Sequence, residues 1–307
     1  GAHVKKRGMK RTRRYPVQVG YKCCVRGLKE QTAELCDHDR EILARIDTAG
    51  IPKRLWYPKN RFPPGLNTRQ PIAAGIERID QAYTTRALYA MAWLWRRAQQ
   101  WPNEEIAGKL LFTVTSLYQR VTVFSEFRFW GGSSNTANYN VPFISNEQNV
   151  FRTFARKANT ISWYFKSAPR LRRVVDVRTA SACDLRHIRD KSVDYVFTDP
   201  PFGGNINYSE MNFLWESWLR QHTDTRDEAI MNAVQGKGTE EYRALLTRAF
   251  SECRRVLKDE GWMTVIFHNS SREVWAALQT SVKDAGFGVC GTQTFDKEHG
   301  TFKQFVS

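Results

Sequence analysis

The 307-residue chain has no apolar run approaching the roughly 20 residues that a bilayer-spanning helix needs. Nor does it open on a signal peptide, because the basic stretch at its start is followed by no apolar segment. Cysteine is scarce: six residues in a chain this long do not form a disulfide framework, which points to a reducing cytoplasm. Acidic residues are the other shortfall. Asp and Glu number 31 against 47 Lys and Arg, giving +16 at neutral pH and a pI near 9.8. So large an excess favours a polyanionic partner, nucleic acid above all; a basic solubility charge is the plainer account. Part of the excess is local, with Lys5, Lys6, Arg7, Lys10, Arg11, Arg13 and Arg14 forming an arm suited to tracking phosphates.

Cys23, Cys24, Cys36 and His38 lie close together in sequence, but adjacent cysteines do not have the spacing of paired zinc knuckles. A degenerate zinc-ribbon remnant or plain buried thiols account for them, and no metal site is expected.

Three regions follow from the pattern. Residues 1–66 read as a basic arm and an irregular connecting segment, broken by Pro52, Pro58, Pro63 and Pro64 and anchored by Trp56, Tyr57 and Phe62. Residues 67–170 read as a helical lobe. Helices are expected over 79–100 and 103–124, a Gly-, Ser- and Asn-rich loop over 130–135, and a further helix over 149–165. That last helix mixes Arg152, Arg156 and Lys157 with Phe154, Trp163, Tyr164 and Phe165. Such a mixture suits a nucleic-acid surface, with Arg128 and Arg156 on its DNA face, and equally suits core aromatics among solvated cations. From Val174 onward short strands and helices alternate, as in an α/β sheet. Strands are expected over 193–198, over 262–267 and from Val289, and helices over 209–219, 239–257 and 272–285. The end, Lys303-Gln304-Phe305-Val306-Ser307, reads as an unfinished strand.

Thr198-Asp199-Pro200-Pro201-Phe202 directly follows the first of these strands. In open α/β sheets ligands bind at the carboxyl ends of strands, so this is where a site is expected. The arrangement suits alkylation of an exocyclic amine whose lone pair is delocalised into an aromatic base. The Asp199 carboxylate and the Pro200 carbonyl can accept the two amine hydrogens, favouring a tetrahedral nitrogen. Pro200 and Pro201 fix the loop through their restricted φ, and Phe202 offers a face for a base turned out of its stack. The plainer account is a Pro-Pro turn after a core strand with a solvated Asp.

The run from Ser192 to Asn205, with its Asp-Pro-Pro-Phe, resembles motif IV of the amino-group DNA methyltransferases. Asn205, Asn207-Tyr208-Ser209-Glu210, Asn212 to Glu216 and Gln235-Gly236-Lys237-Gly238 resemble a subgroup of large adenine-specific DNA methylases. The likeness covers about residues 171–307, and the helical lobe more weakly at residues 83–88. It implies a class I, Rossmann-like α/β methyltransferase sheet in the C-terminal part, carrying an N-terminal, mainly helical lobe. It also implies S-adenosyl-L-methionine as donor and double-stranded DNA with a flipped base, most often methylated at adenine N6, as substrate. Asp199, Pro200, Pro201 and Phe202 are then the catalytic residues. Asp184, Thr198 and Asp199 face the cofactor, although capping a turn accounts for Asp184 equally well. Asn205, Asn207, Tyr208 and Lys237 contact nucleic acid. His268 and Asn269 line the site or cap the following helix. A partner from a restriction or defence system is consistent with the family.

The sequence departs from the family in lacking a Phe-x-Gly-x-Gly cofactor loop, and Gly131-Gly132 and Gly203-Gly204 do not replace it. The expectation is therefore a fragment lacking half of its cofactor site, inactive when alone. The rivals are an RNA methyltransferase of the N2-guanine type and a non-catalytic DNA-binding subunit that keeps the fold.

Overall fold

The computed structural model describes residues 18–22, 30–128, 139–168 and 175–293. The basic arm, Cys23, Cys24, the loop over 130–135 and the strand expected over 303–307 lie outside these residues. The chain folds as two units, Gly1–Val177 with Asn207–Arg226, and Arg178–Ile206 with Asp227–Ser307. The class is mixed α/β, with helices and a small parallel sheet. Among the described residues no helix is long and apolar enough to cross a membrane.

The first unit begins with β1 (Gln18–Lys22) antiparallel to β2 (Glu30–Glu34), then α1 (Asp37–Ala49). These elements replace part of the irregular segment expected over 1–66. The helix-breaking prolines of that segment start only at Pro52, and Asp37 and Asp39 favour the amino-terminal turn of a helix before it. Next come α2 (Arg69–Ala73), a 3₁₀ turn at Ile79–Ala82, α3 (Thr85–Gln99), α4 (Glu104–Thr115), α5 (Tyr118–Val121) and α6 (Val150–Ser167). The helix expected over 79–100 is split because Tyr83 and Thr84 are extended, and the Thr84 hydroxyl caps α3 by accepting from the Ala87 amide. The one expected over 103–124 is split after Thr115. There the hydroxyls of Thr113 and Ser116 donate to the Lys109 and Thr113 carbonyls, competing with the backbone ladder.

The last helix of this unit is α7 (Tyr208–Leu219), which the sequence reading had grouped with the catalytic region over 171–307. Leu214 and Trp218 bury its inner face, and Trp218 packs against Trp56, Trp95 and Tyr83. The Trp218 indole N–H donates to the Tyr83 hydroxyl at 3.0 Å. Tyr139 makes a parallel connection, donating to the Met211 carbonyl at 2.7 Å and accepting from the Leu214 amide at 3.2 Å. Burial pushes both phenols well above their usual range. The buried Glu210 carboxylate accepts the amides of Leu66 and Asn67 at 3.1 and 2.6 Å, tying α7 to the connecting loop.

In the second unit, β3 (Val193–Thr198) pairs in parallel with β4 (Leu257–Val265); α8 (Thr239–Val256) runs directly into β4, and α9 (Arg272–Asp284) follows it. Register runs from Tyr195 opposite Trp262 to Thr198 opposite Val265, with an irregularity between Val193 and Tyr195. Gly261 fits this close approach, since a Cβ there would lie 2.9 Å from Leu257 and 3.1 Å from the Asp194 carbonyl. Met263 and Val265 pack towards the core that α8 and α9 form with Tyr242, Leu246, Phe250, Val274 and Leu278. Alternation turns Tyr195, Phe197 and Trp262 to the other face, where they are 51%, 62% and 62% exposed. The strand expected over 262–267 starts earlier, at Leu257, and ends at Val265. The strand expected from Val289 does not form within the described residues, which run irregularly from Phe287 to residue 293. No described strand lies beside them to take up their hydrogen bonds.

Replacing Tyr83 with Phe leaves the Trp218 indole N–H buried without its acceptor. Urea unfolding followed by far-ultraviolet circular dichroism should show a loss of about 1–3 kcal/mol, and the loss should shrink in a Trp218→Phe background.

Candidate active site

The carboxyl end of β3 sets the position of the Asp-Pro-Pro-Phe loop. The Thr198 carbonyl accepts the last cross-strand bond, from the Ile266 amide at 2.9 Å, and the chain turns away at Asp199. Asp199 is exposed, Pro200 is buried, and Pro201 and Phe202 are half-buried. The turn completes at Gly203, whose φ of 65° is in the left-handed region; a Cβ there would also press to 3.1 Å on Val274 of α9.

Three neighbouring elements hold the backbone of this loop. From α8, the fully buried Tyr242 donates its hydroxyl to the Pro201 carbonyl at 2.6 Å. From the loop after β4, the Asn269 side-chain amide donates to the Phe202 carbonyl at 2.9 Å. From the segment before α8, the Met231 amide donates to the Gly203 carbonyl at 3.2 Å. The Phe202 ring meets Phe267 edge-on at 5.2 Å and lies 6.5 Å from His268. Phe267 is backed by Trp275, whose indole N–H donates to the Asn269 carbonyl at 2.8 Å.

The carbonyls of Pro201, Phe202 and Gly203 are thus engaged in succession. Among the described residues, none hydrogen-bonds the Asp199 carboxylate or the Pro200 carbonyl. The loop leaves one charged acceptor, on the exposed Asp199, and one neutral acceptor, on the buried Pro200, adjacent in sequence and without a hydrogen-bond partner among the described residues. A ligand offering two N–H donors matches that pair.

The other residues singled out from sequence fall in several places. Asn205 is exposed in the same unit, and its amide closes the turn on the Phe202 carbonyl at 3.4 Å. Asn207 and Tyr208 start α7 in the first unit, where Asn207 is buried and Tyr208 exposed. Lys237 lies in a closed turn with Asn232, the two residues exchanging backbone bonds at 2.9 and 3.0 Å, and its ammonium donates to the Glu228 carbonyl at 2.7 Å. That gives the Gly-flanked lysine a structural task in the turn. The Asn269 Oδ1 also accepts the Ser271 amide at 2.7 Å, and it is Ser271 that caps α9, its hydroxyl accepting from the Val274 amide.

Asp184 is paired with Arg186 at 2.6 Å, and that guanidinium holds its exposed carboxyl at about 2. The adjoining turn is tied to α8, where the Leu185 amide donates to Glu252 at 2.7 Å. Arg128 lies 3.5 Å from Glu126, and Arg156 donates to the Gln148 side chain at 2.6 Å. Among the described residues no three His, Cys, Asp or Glu side chains converge as a metal would need. Cys36 donates its thiol to Asp39 at 3.2 Å.

Sequence reasoning missed Tyr242 and the Met231 amide. Tyr242 shares the inward stripe of α8 with Leu245, Leu246 and Phe250, so its pattern signals only burial. Burial, partly offset by the Gly203 amide, pushes its phenol up to about 12. A folded value above the unfolded value of about 10 means that the hydroxyl stabilises fully below pH ~10 and progressively less as pH rises towards 12. Tyr242→Phe should therefore lower stability at neutral pH by about 1 kcal/mol and flatten the alkaline decline, as read by urea midpoints from pH ~8 to ~11.5.

No family model matches the sequence, and no match is found among the curated proteins or the solved structures.

Proposed function

We propose that this protein acts on nucleic acid as an S-adenosyl-L-methionine-dependent methyltransferase of the class I, Rossmann-like type. Its target is the exocyclic amine of a flipped base in double-stranded DNA, adenine N6 by preference. One observation carries the reading: the Asp199 carboxylate and the Pro200 carbonyl stand uncommitted at the end of a parallel strand, beside three carbonyls that are all held.

In this reading the Asp199 carboxylate accepts one amine hydrogen and the Pro200 carbonyl the other. The nitrogen lone pair is then drawn out of conjugation, and positive charge developing on the amine meets acceptors already in place. Phe202, braced edge-on by Phe267, supplies a face for the base. Tyr242 and Asn269 act through the loop rather than on the amine, fixing the carbonyls on either side of the aromatic contact. The proton lost from the amine passes to Asp199 and from there to solvent.

S-adenosyl-L-methionine supplies an electrophilic methyl group when bound. The residues here fit the amine better than that donor, because Asp184 is engaged with Arg186 and the sequence has no Phe-x-Gly-x-Gly run. Asn205 remains available on the catalytic unit for contact with the nucleic acid, and a restriction or defence partner remains compatible with this activity.

The test is expression of the intact reading frame in a host without DNA methylation, followed by mass spectrometry of its nucleosides. N6-methyladenine in wild-type DNA should fall at least about a thousandfold with Asp199→Ala, the scale expected when a preorganised partner of the reacting centre is lost. N4-methylcytosine would keep the mechanism and change the base. A mark found only in RNA, such as N2-methylguanine, would move the substrate to RNA. No mark in either would sink the enzyme and leave a binding subunit.

A further inference from the structure

We infer that the outward side of α6 is a binding platform for an unpaired nucleic-acid strand, its cations taking the phosphates and its exposed rings the bases. Along α6, Arg152, Arg156 and Trp163 recur at helical spacing on one line, over a length of about 16 Å. Lys157 and Tyr164 form a second line beside them at a spacing of two turns. Val150 and Phe154 pack on the core of their own unit and Thr153 is buried, while Ala158 and Ile161 further along are half-buried.

Large rings at the carboxyl-terminal end of this helix are open to solvent: Trp163 is 69% exposed, Tyr164 59% and Phe165 51%. Rings and cations also meet where α3 and α4 pack against α6. Trp93 meets Phe151 edge-on at 5.8 Å, and the Arg97 guanidinium lies 5.8 Å over the Trp93 ring. Lys109, paired with Glu105, sits 4.4 Å over the Phe165 ring. Cations next to exposed rings are the combination that tracks a backbone and stacks bases at once.

Charge identifies the occupant. The helix carries Arg152, Arg156, Lys157 and Lys166 and no Asp or Glu. The second unit holds 14 Lys and Arg against 15 Asp and Glu, so the whole +16 excess belongs to the unit that contains α6. An apolar protein partner would call for an unbroken apolar stripe, whereas here arginines share the line with the tryptophan. A second copy of this basic unit would bring like charges together. Rings stack only on bases whose faces are open, which a closed duplex hides, so the ligand is a single strand or a locally opened one.

The experiment uses the full chain and a fluorescein-labelled oligothymidylate of about 20 nucleotides, with a duplex of the same length beside it. Anisotropy titrations run at salt concentrations from about 50 to 200 mM. The single strand should bind more tightly than the duplex. Trp163→Ala should weaken it about tenfold with the salt slope unchanged, and Trp163→Phe should restore most of the loss. Arg156→Ala and Lys157→Ala should each reduce the salt slope by about 0.7. Equal or tighter binding of the duplex would overturn the inference. So would an affinity within twofold of wild type for a Trp163→Ala protein of unchanged helicity, or loss of self-association in that variant, which would assign the face to a second copy. The inference takes from the proposed function only that nucleic acid is the substrate. Binding is read without donor or turnover, so a chain that binds oligothymidylate and transfers no methyl group leaves the platform standing while the enzyme falls.

Discussion

Parallel pairing of β3 with β4 is the constraint on which the second unit depends. Two parallel neighbours cannot be joined by a tight turn, so the chain must travel back along the sheet before the second strand begins. Here α8 makes that return and runs into β4 without a break. The same pairing brings the two carboxyl ends level, with Thr198 opposite Val265. The loop carrying Asp199 and the loop carrying Asn269 therefore emerge side by side, and α8 passes close enough to place Tyr242 beneath the first of them. A shift of β4 by one residue would turn Met263 and Val265 out of the core and carry Asn269 away from Phe202.

This geometry explains how four consecutive residues can take different tasks. Two prolines remove backbone donors and restrict φ, and the Pro201 and Phe202 carbonyls each accept a local amide, from Gly203 and Asn205, besides a side-chain donor from another element. The carbonyls that point back into the unit find Tyr242, Asn269 and the Met231 amide. The Asp199 carboxylate and the Pro200 carbonyl have no hydrogen-bond partner among the described residues. The loop thus fixes the carbonyls next to these two acceptors and leaves the acceptors themselves uncommitted.

The sequence made the strand and its loop legible, because an apolar run ending in Asp-Pro-Pro-Phe combines a β pattern with residues that cannot continue it. Helices with a strong apolar stripe, such as α3, α8 and α9, were also visible from spacing. Their interruptions were not, since the breaks at Tyr83 and Ser116 depend on hydroxyl bonds and on which backbone groups find partners in three dimensions. The membership of α7 was hidden for a related reason. Its chain position follows the catalytic loop, but Trp218 finds its acceptor in Tyr83 and Glu210 finds amides at Leu66 and Asn67, contacts of long sequence separation that no local pattern encodes. At Lys237 the flanking glycines signal a tight turn, but the partner of its ammonium, the Glu228 carbonyl nine residues back, is not legible from the local pattern.

Charge divides the labour between the units. In the second unit cations and carboxylates nearly balance in number, and many of them meet: Arg186 with Asp184, Arg243 with Glu240 and Asp284, Arg255 with Glu252 and Asp190, Lys191 with Asp259, Lys258 with Asp194. Exposed pairs of this kind add little stability, but they cancel the field that would otherwise gather phosphate around Asp199. If the site takes up a neutral amine, as proposed, it gains from such a balance, since a strong positive potential would disfavour charge developing on the nitrogen. Attraction for the backbone of a nucleic acid would then have to come from elsewhere in the chain, and the proposed platform on α6, which carries four cations and no carboxylate beside exposed rings, would supply it. Long-range capture and local chemistry impose opposite electrostatic demands, and on this proposal separate units meet them.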